Sequence, residues 1–173
     1  MATIVVEDDK ILRFIEIILD PHVAPTRVKA FRDYLSFDVP DPDGWFDAMR
    51  ERGSAIHPST VHMVEDEAAM RAVLPHADAI VTEGLNFAAD DLAMASNLKL
   101  VQKFGIDARN IDIAACVGAG VELRTLRRRV NGTVAEHAVL LMLAVGRKLC
   151  ETNGALDFTT LEALGYCPAM FDP

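Results

Sequence analysis

Short apolar runs alternating with helix-patterned stretches constrain the fold of this chain more than any other feature. The run from Ile11 to Leu19 is β-branched and nearly continuous, the pattern of a strand buried on both faces, and Asp20-Pro21-His22 ends it. Pro25 opens a helix to about Leu35, with Val28, Phe31 and Leu35 at helical spacing. A Pro/Asp-rich loop from Asp38 to Gly44 follows, and Trp45, Phe46 and Met49 mark a short second helix. Val61 to Val64, Ala77 to Thr82, Leu98 to Gln102 and Val121 to Leu123 read as further strands. Helices are expected between them, from Asp66 to Leu74, Ala88 to Ala95 and Asn110 to Val117. Such alternation implies an α/β domain: a parallel sheet with helices on both faces, joined by right-handed crossovers.

The tail departs from this pattern. A long helix is expected from Thr133 to Leu149, apolar on most of its circumference through Val134, Val139, Leu140, Leu141, Met142, Leu143 and Val145. A helix of that kind needs cover from several directions. Little chain follows it, with one short helix expected near Thr160 to Leu164. The domain reading is therefore 1–130 for the sheet and 131–173 for the helix and tail, the latter expected to pair with a second copy in a homodimer.

The composition excludes several classes. A net charge of −9 argues against nucleic-acid binding, which draws on a surplus of Lys and Arg. No apolar run approaches a bilayer span, and the acids at Glu7, Asp8 and Asp9 sit where a signal peptide would be basic, so a cytoplasmic location is expected. Cys116, Cys150 and Cys167 form no CxxC pair, and Cys116 and Cys150 read as small core residues. His57, His62 and His76 show no metal-ligand spacing, so no metal is expected. Arg124, Arg127, Arg128 and Arg129 form a local cluster, either a solvated loop or a seat for an anion.

Four segments occur in an order that resembles a known family. These are Leu74-Pro75-His76-Ala77-Asp78-Ala79-Ile80-Val81, then Leu98-Lys99-Leu100-Val101, then Asn110-Ile111-Asp112, then Val134-Ala135-Glu136-His137. Together they are similar to the N-terminal part of D-isomer-specific 2-hydroxyacid dehydrogenases, over roughly Phe14 to Leu149. The resemblance implies a flavodoxin-like substrate-binding lobe, with the Val-Ala-Glu-His helix already part of a nucleotide-binding domain. It also implies that backbone amides in the turn after the Leu98 strand grip a substrate carboxylate.

The departures from that pattern shape the functional reading. The family turn Gly-x-Gly-x-Asp-Asn-Ile-Asp here reads Gly105-Ile106-Asp107-Ala108-Arg109-Asn110-Ile111-Asp112. Asp107 thus replaces a glycine and Arg109 an aspartate, either as a salt bridge or as a general base or anion clamp. Thr82-Glu83 replaces the Arg-Ser often found after the preceding strand. Gly118-Ala119-Gly120 precedes a strand, so it is no dinucleotide fingerprint, and NAD(H) is not expected to bind unless a further domain supplies the site.

Ligands of open parallel sheets bind beyond the carboxyl ends of the strands. The candidate catalytic residues there are His22, Glu83, Asp107 and Arg109, with His137 on the tail helix either an acid–base group or a remnant of the family pattern. Gly84, Gly105, Ile106, Asn110 and Arg127 are the candidate substrate contacts. The first functional reading is the substrate lobe of an oxidoreductase acting on a small 2-hydroxy or 2-oxo acid. A cofactor-free hydrolase, lyase or isomerase using Asp107 and Arg109 is the alternative, and a non-catalytic ligand-binding module a third.

Overall fold

The computed structural model describes residues 1–128 and 130–153, together with Thr159 and Ala163. The chain divides into two compact units, Met1–Arg127 and Arg128–Pro173. Arg129, Cys167 and the short helix expected near Thr160 to Leu164 lie outside the described residues.

The first unit runs β1 (Ala2–Glu7), α1 (Arg13–Leu19), α2 (Pro25–Leu35), α3 (Pro42–Arg52), β2 (Ser59–Val64) and α4 (Glu67–Val73). A 3-10 turn at Leu74–His76 then leads to β3 (Ala79–Thr82), α5 (Ala89–Met94), β4 (Leu100–Lys103), α6 (Ile113–Ala119) and β5 (Glu122–Thr125). The five strands are ordered β2-β1-β3-β4-β5, and every pairing is parallel. That is the flavodoxin-like order, whose switch point lies between β1 and β3. Val5 aligns with Ile80, Ile80 with Val101 and Val101 with Leu123, so one row of side chains crosses the sheet. Val5, Ile80 and Val101 pack with Met70, Leu74 and Cys116 from α4, its 3-10 extension and α6. On the opposite face Ile4, Val6 and Val81 pack with Leu12, Ile15, Ile18 and Leu19 of the α1 region.

One element of the sequence reading is corrected. Ile11 to Leu19 is not a strand: Arg13–Leu19 is helix α1, and the central strand is β1, at the very start of the chain. Both assignments turn on the same ambiguity, because a short apolar run suits a buried strand or a buried helix equally well. Leu12, Ile15, Ile18 and Leu19 face the sheet at helical spacing. The two charges inside the run pair with charges outside it, Arg13 with Asp8 at 2.5 Å and Glu16 with Arg27 at 2.7 Å. Ile4, Val5 and Val6 are all buried, as a strand covered on both faces requires.

α1 is pinned to the next two helices by aromatic edges: Phe14 meets Phe31 at 4.6 Å and Trp45 at 5.8 Å between ring centroids. α6 ends at Gly120, whose φ of 70° is the left-handed geometry that glycine adopts without strain. The Val121 amide closes that helix end by donating to the Cys116 carbonyl at 2.9 Å. Gly118-Ala119-Gly120 therefore forms a helix stop leading into β5.

The second unit contains α7 (Val130–Gly146) and α8 (Leu149–Thr152), separated where Lys148 takes a φ of 52°. No residue of α7 is buried, and Leu140, Met142 and Val145 are 55%, 73% and 79% exposed. Among the described residues no helix is long and apolar enough to cross a membrane. Cys116 is buried on α6, whereas Cys150 is exposed, so the reading of Cys150 as a core residue is corrected.

Candidate ligand site at the carboxyl ends of the strands

Glu83, Gly84, Asn86, Lys103, Asp107, Arg109 and Asn110 line one polar concavity of about 450 Å³. It opens where β3 and β4 end. β3 delivers Glu83 and Gly84, β4 delivers Lys103, and the turn before α6 delivers Asp107, Arg109 and Asn110. Five of the residues expected at the site therefore converge: Glu83, Gly84, Asp107, Arg109 and Asn110.

Lys103 and Asn86 are the lining residues that sequence reading missed, and Lys103 carries the chemistry. Its side chain is 6% exposed, and its ammonium lies 3.3 Å from the Glu83 carboxylate while donating to the Glu83 carbonyl oxygen. A lysine at the last position of β4, in phase with buried Val101, was the signal that could have found it. Gly105 stands behind this pair, for a Cβ there would lie 3.2 Å from a Glu83 carboxylate oxygen. Gly84 is equally confined, its Cβ position being 3.3 Å from Glu7 Oε1.

Asp107 and Arg109 form a local ion pair on the solvent side. The Arg109 Nε donates to Asp107 Oδ2 at 2.8 Å and its backbone amide to Oδ1 at 3.1 Å. These hydrogen bonds lower the Asp107 carboxyl to about 2. A base that weak holds almost no proton near neutral pH, so Asp107 suits orienting the guanidinium better than proton abstraction. The Arg109 side chain is 91% exposed, so a ligand in solvent can reach its guanidinium.

Asn110-Ile111-Asp112 is a structural clasp. The Asn110 side-chain amide donates to the Leu85 carbonyl at 2.6 Å, the Phe87 and Asp112 amides bond across an isolated parallel bridge, and Asp112 caps α6 through the Ala115 amide at 2.9 Å. The clasp joins the exit of β3 to the start of α6, closing the far side of the concavity.

The remaining expected residues do not join the lining. His22 is exposed and follows α1, not a strand; the neighbouring Asp20 carboxylate accepts the Val61 amide near the start of β2, at the opposite edge of the sheet. Reading the 11–19 run as a strand had placed both at the wrong end. Ile106 is 61% exposed and is not among the residues that line the concavity. Arg127 is exposed at the end of the first unit, and Arg124 pairs instead with Glu122 at 2.7 Å. His137 is exposed on α7, in the second unit. Among the described residues no group of three or more His, Cys, Asp or Glu is disposed to hold a metal ion.

The crevice between β1 and β3 is closed by a carboxylate. Glu7 ends β1, and its Oε2 accepts from the Thr82 hydroxyl at 2.7 Å and from the amides of Glu83, Gly84 and Leu85 at 2.6, 2.8 and 3.1 Å. Burial works to raise the Glu7 carboxyl, but the Thr82 and backbone hydrogen bonds outweigh it and hold it below the ordinary value. A dinucleotide cradle needs a glycine turn opening a helix N-terminus toward a pyrophosphate. β1 instead exits into Glu7, Asp8 and Asp9, and the β3 turn is filled by Glu7, so these residues do not fit that group.

No protein-family model matches the sequence. Curated sequences do. The D-3-phosphoglycerate dehydrogenase of Mycobacterium leprae (strain TN) is 33% identical over 92 residues, which is 53% of this chain and 17% of that protein. The protein of the same name from Archaeoglobus fulgidus is 30% identical over 107 residues, 62% of this chain and 20% of the relative. A solved structure of the pyruvate reductase of Chlamydomonas reinhardtii matches with a TM-score of 0.51 and 13% identity, over 88% of this chain and 37% of that one. That last likeness shows the fold alone. The fold and site define a flavodoxin-like parallel α/β domain with a polar pocket at its carboxyl edge. With the curated matches added, the chain is similar to part of D-3-phosphoglycerate dehydrogenases, and it spans about a fifth of the length of the curated relatives it matches.

Proposed function

We propose that the Met1–Arg127 unit is a substrate-binding lobe that takes a small 2-hydroxy or 2-oxo acid at the ends of β3 and β4, as part of an oxidoreductase of this family. The observation that carries the reading is the nearly buried Lys103 ammonium, set beside Glu83 in a polar concavity that exposed Arg109 also lines. Two cations, one buried and one exposed, suit a carboxylate that must be held at depth and met at the surface. Glu83 supplies an acceptor for a ligand hydroxyl in the same space. The names of the curated relatives make 3-phosphoglycerate the first probe, with unphosphorylated 2-hydroxy acids beside it. The described residues bind and orient; hydride transfer is assigned to nothing in them.

Thermal-shift titration tests the reading. A ligand at about 100 times its dissociation constant adds about 2.7 kcal/mol of stability. Lys103→Met is expected to weaken binding at least tenfold, since a hydrogen bond to a charged group contributes about 1.5–3 kcal/mol. Arg109→Ala should weaken it less, because that side chain starts in water. Absence of any shift with the whole series of small hydroxy and oxo acids defeats the proposal. A parallel NADH fluorescence titration is expected to stay flat. We further infer that the chain self-associates through α7, since a second copy of the same apolar helix is the partner that covers both.

A further inference from the structure

The Glu7 carboxylate ties the end of β1 to the wall of the pocket. Its four donors all converge on a single oxygen, and they come from four consecutive residues, 75 to 78 positions away. Successive backbone amides turned toward one point form an anion-binding concavity, selective for a negatively charged oxygen and indifferent to the rest of the molecule carrying it. Here the anion is part of the chain. Glu83 is then held twice, at its amide by Glu7 and at its carbonyl by Lys103. The same Glu83 puts its carboxylate 3.3 Å from the Lys103 ammonium. One chain of contacts thus runs from Glu7 through the Thr82–Leu85 turn to Glu83 and Lys103, two of the four charged residues that line the pocket.

The position matters as much as the contacts. The switch point between β1 and β3 is where an open sheet of this order offers a ligand its deepest crevice. With Glu7 seated there, an incoming anion meets a carboxylate and is turned toward the gap between β3 and β4, where Lys103 stands. We propose that the turn leaving β3 is a carboxylate-binding nest filled by the chain's own Glu7, and that Glu7 is thereby the positioning residue of the pocket, fixing Glu83 and Lys103 and closing the β1–β3 crevice to external anions. The role assigned in the pocket rests on the ligand reading above; the nest itself does not.

Chemical rescue separates the two. Glu7→Ala leaves three amides and a hydroxyl without their acceptor, and is expected to lower Tm by about 4 °C or more. Acetate or formate should restore part of that loss in Glu7→Ala and leave the wild type unmoved, with chloride at matched ionic strength as control. In parallel, the amide proton resonances of Glu83, Gly84 and Leu85 should move upfield in Glu7→Ala and return with acetate. Glu7→Gln keeps an acceptor oxygen and should fall between the two proteins in all three readouts; it carries the test if Glu7→Ala does not fold. Binding of the 2-hydroxy acid probe is expected to weaken at least fivefold in Glu7→Ala and to recover with acetate. Equal effects of acetate and chloride, or unchanged resonances at residues 83–85, overturn the nest. A rescued nest with wild-type ligand affinity in Glu7→Ala overturns the positioning role. Failure of the wild type to bind any probe defeats the ligand reading while the rescue still reports on the nest.

Discussion

Asp107 and Arg109 stand two residues apart and bond to each other before they bond to anything else. Their pairing predicts a measurable titration. By carbon-13 NMR the Asp107 carboxyl should titrate near 2, and Arg109→Ala should return it toward 3.8, since the hydrogen bonds from Arg109 are the leading cause of the shift. The sign follows from the depressed folded value: whatever the pair contributes is present above the unfolded carboxyl value and is lost as the pH falls through about 2. Both side chains are largely in water, so global stability should scarcely register the change. A midpoint at the ordinary aspartate value would mean that the pair is not formed in solution. Lys103 differs from Arg109 in kind, because its side chain is buried while that of Arg109 lies in water.

At the scale of elements, α5 shows how a buried acid replaces an ordinary cap. Asp91 is 1% exposed; its Oδ2 accepts the Ala88 amide at 2.8 Å, and its Oδ1 accepts from Arg71 of α4 at 2.6 Å. The carboxylate thus closes its own helix start and clamps α4 to α5 behind the β3 exit. Asp91→Ala should cost about 1–3 kcal/mol, the range for leaving a buried donor unsatisfied, read as a lower urea midpoint with an unchanged slope. Asp91→Asn should recover part of the loss, since it keeps an acceptor for Ala88. α1 carries the lesson of legibility at this scale. Its apolar run satisfies a strand pattern, and the period becomes decisive once Arg13 and Glu16 are seen to pair with charges outside the run. The strands β2, β3 and β4 were legible because turn residues bound them closely on both sides; β1 was not, because it starts at the terminus with no preceding turn to frame it.

The whole chain presents two units with opposite surface chemistry. The first has two buried clusters of apolar side chains on either face of the sheet, whereas α7 has no buried residue and exposes Val134, Val139, Leu140, Leu141, Met142, Leu143 and Val145. Each large apolar side chain left in water forgoes roughly 1.5–3 kcal/mol. Concentration-dependent association is therefore expected, and sedimentation or light scattering at micromolar concentration should read a dimer. Leu140→Glu combined with Met142→Glu should shift the chain to monomer or to insoluble protein without altering ligand binding by the first unit. A monodisperse monomer from the unmodified chain would defeat this expectation.

The local pattern of residues was enough to determine the class of fold, the parallel sheet, and five of the residues that line the concavity, because short strands and their exit turns are written in neighbouring positions. Tertiary structure alone decided the rest. Glu7 reads as a terminal acid until β1 and β3 lie side by side and bring it to amides more than seventy residues away. Lys103 reads as the charged end of a strand until Glu83 arrives from the neighbouring one. His22 reads as a site residue until α1 turns out to be a helix and carries it to the far edge. In each case the deciding contact joins segments distant in sequence, and local periodicity holds no record of which strand will be the neighbour of which.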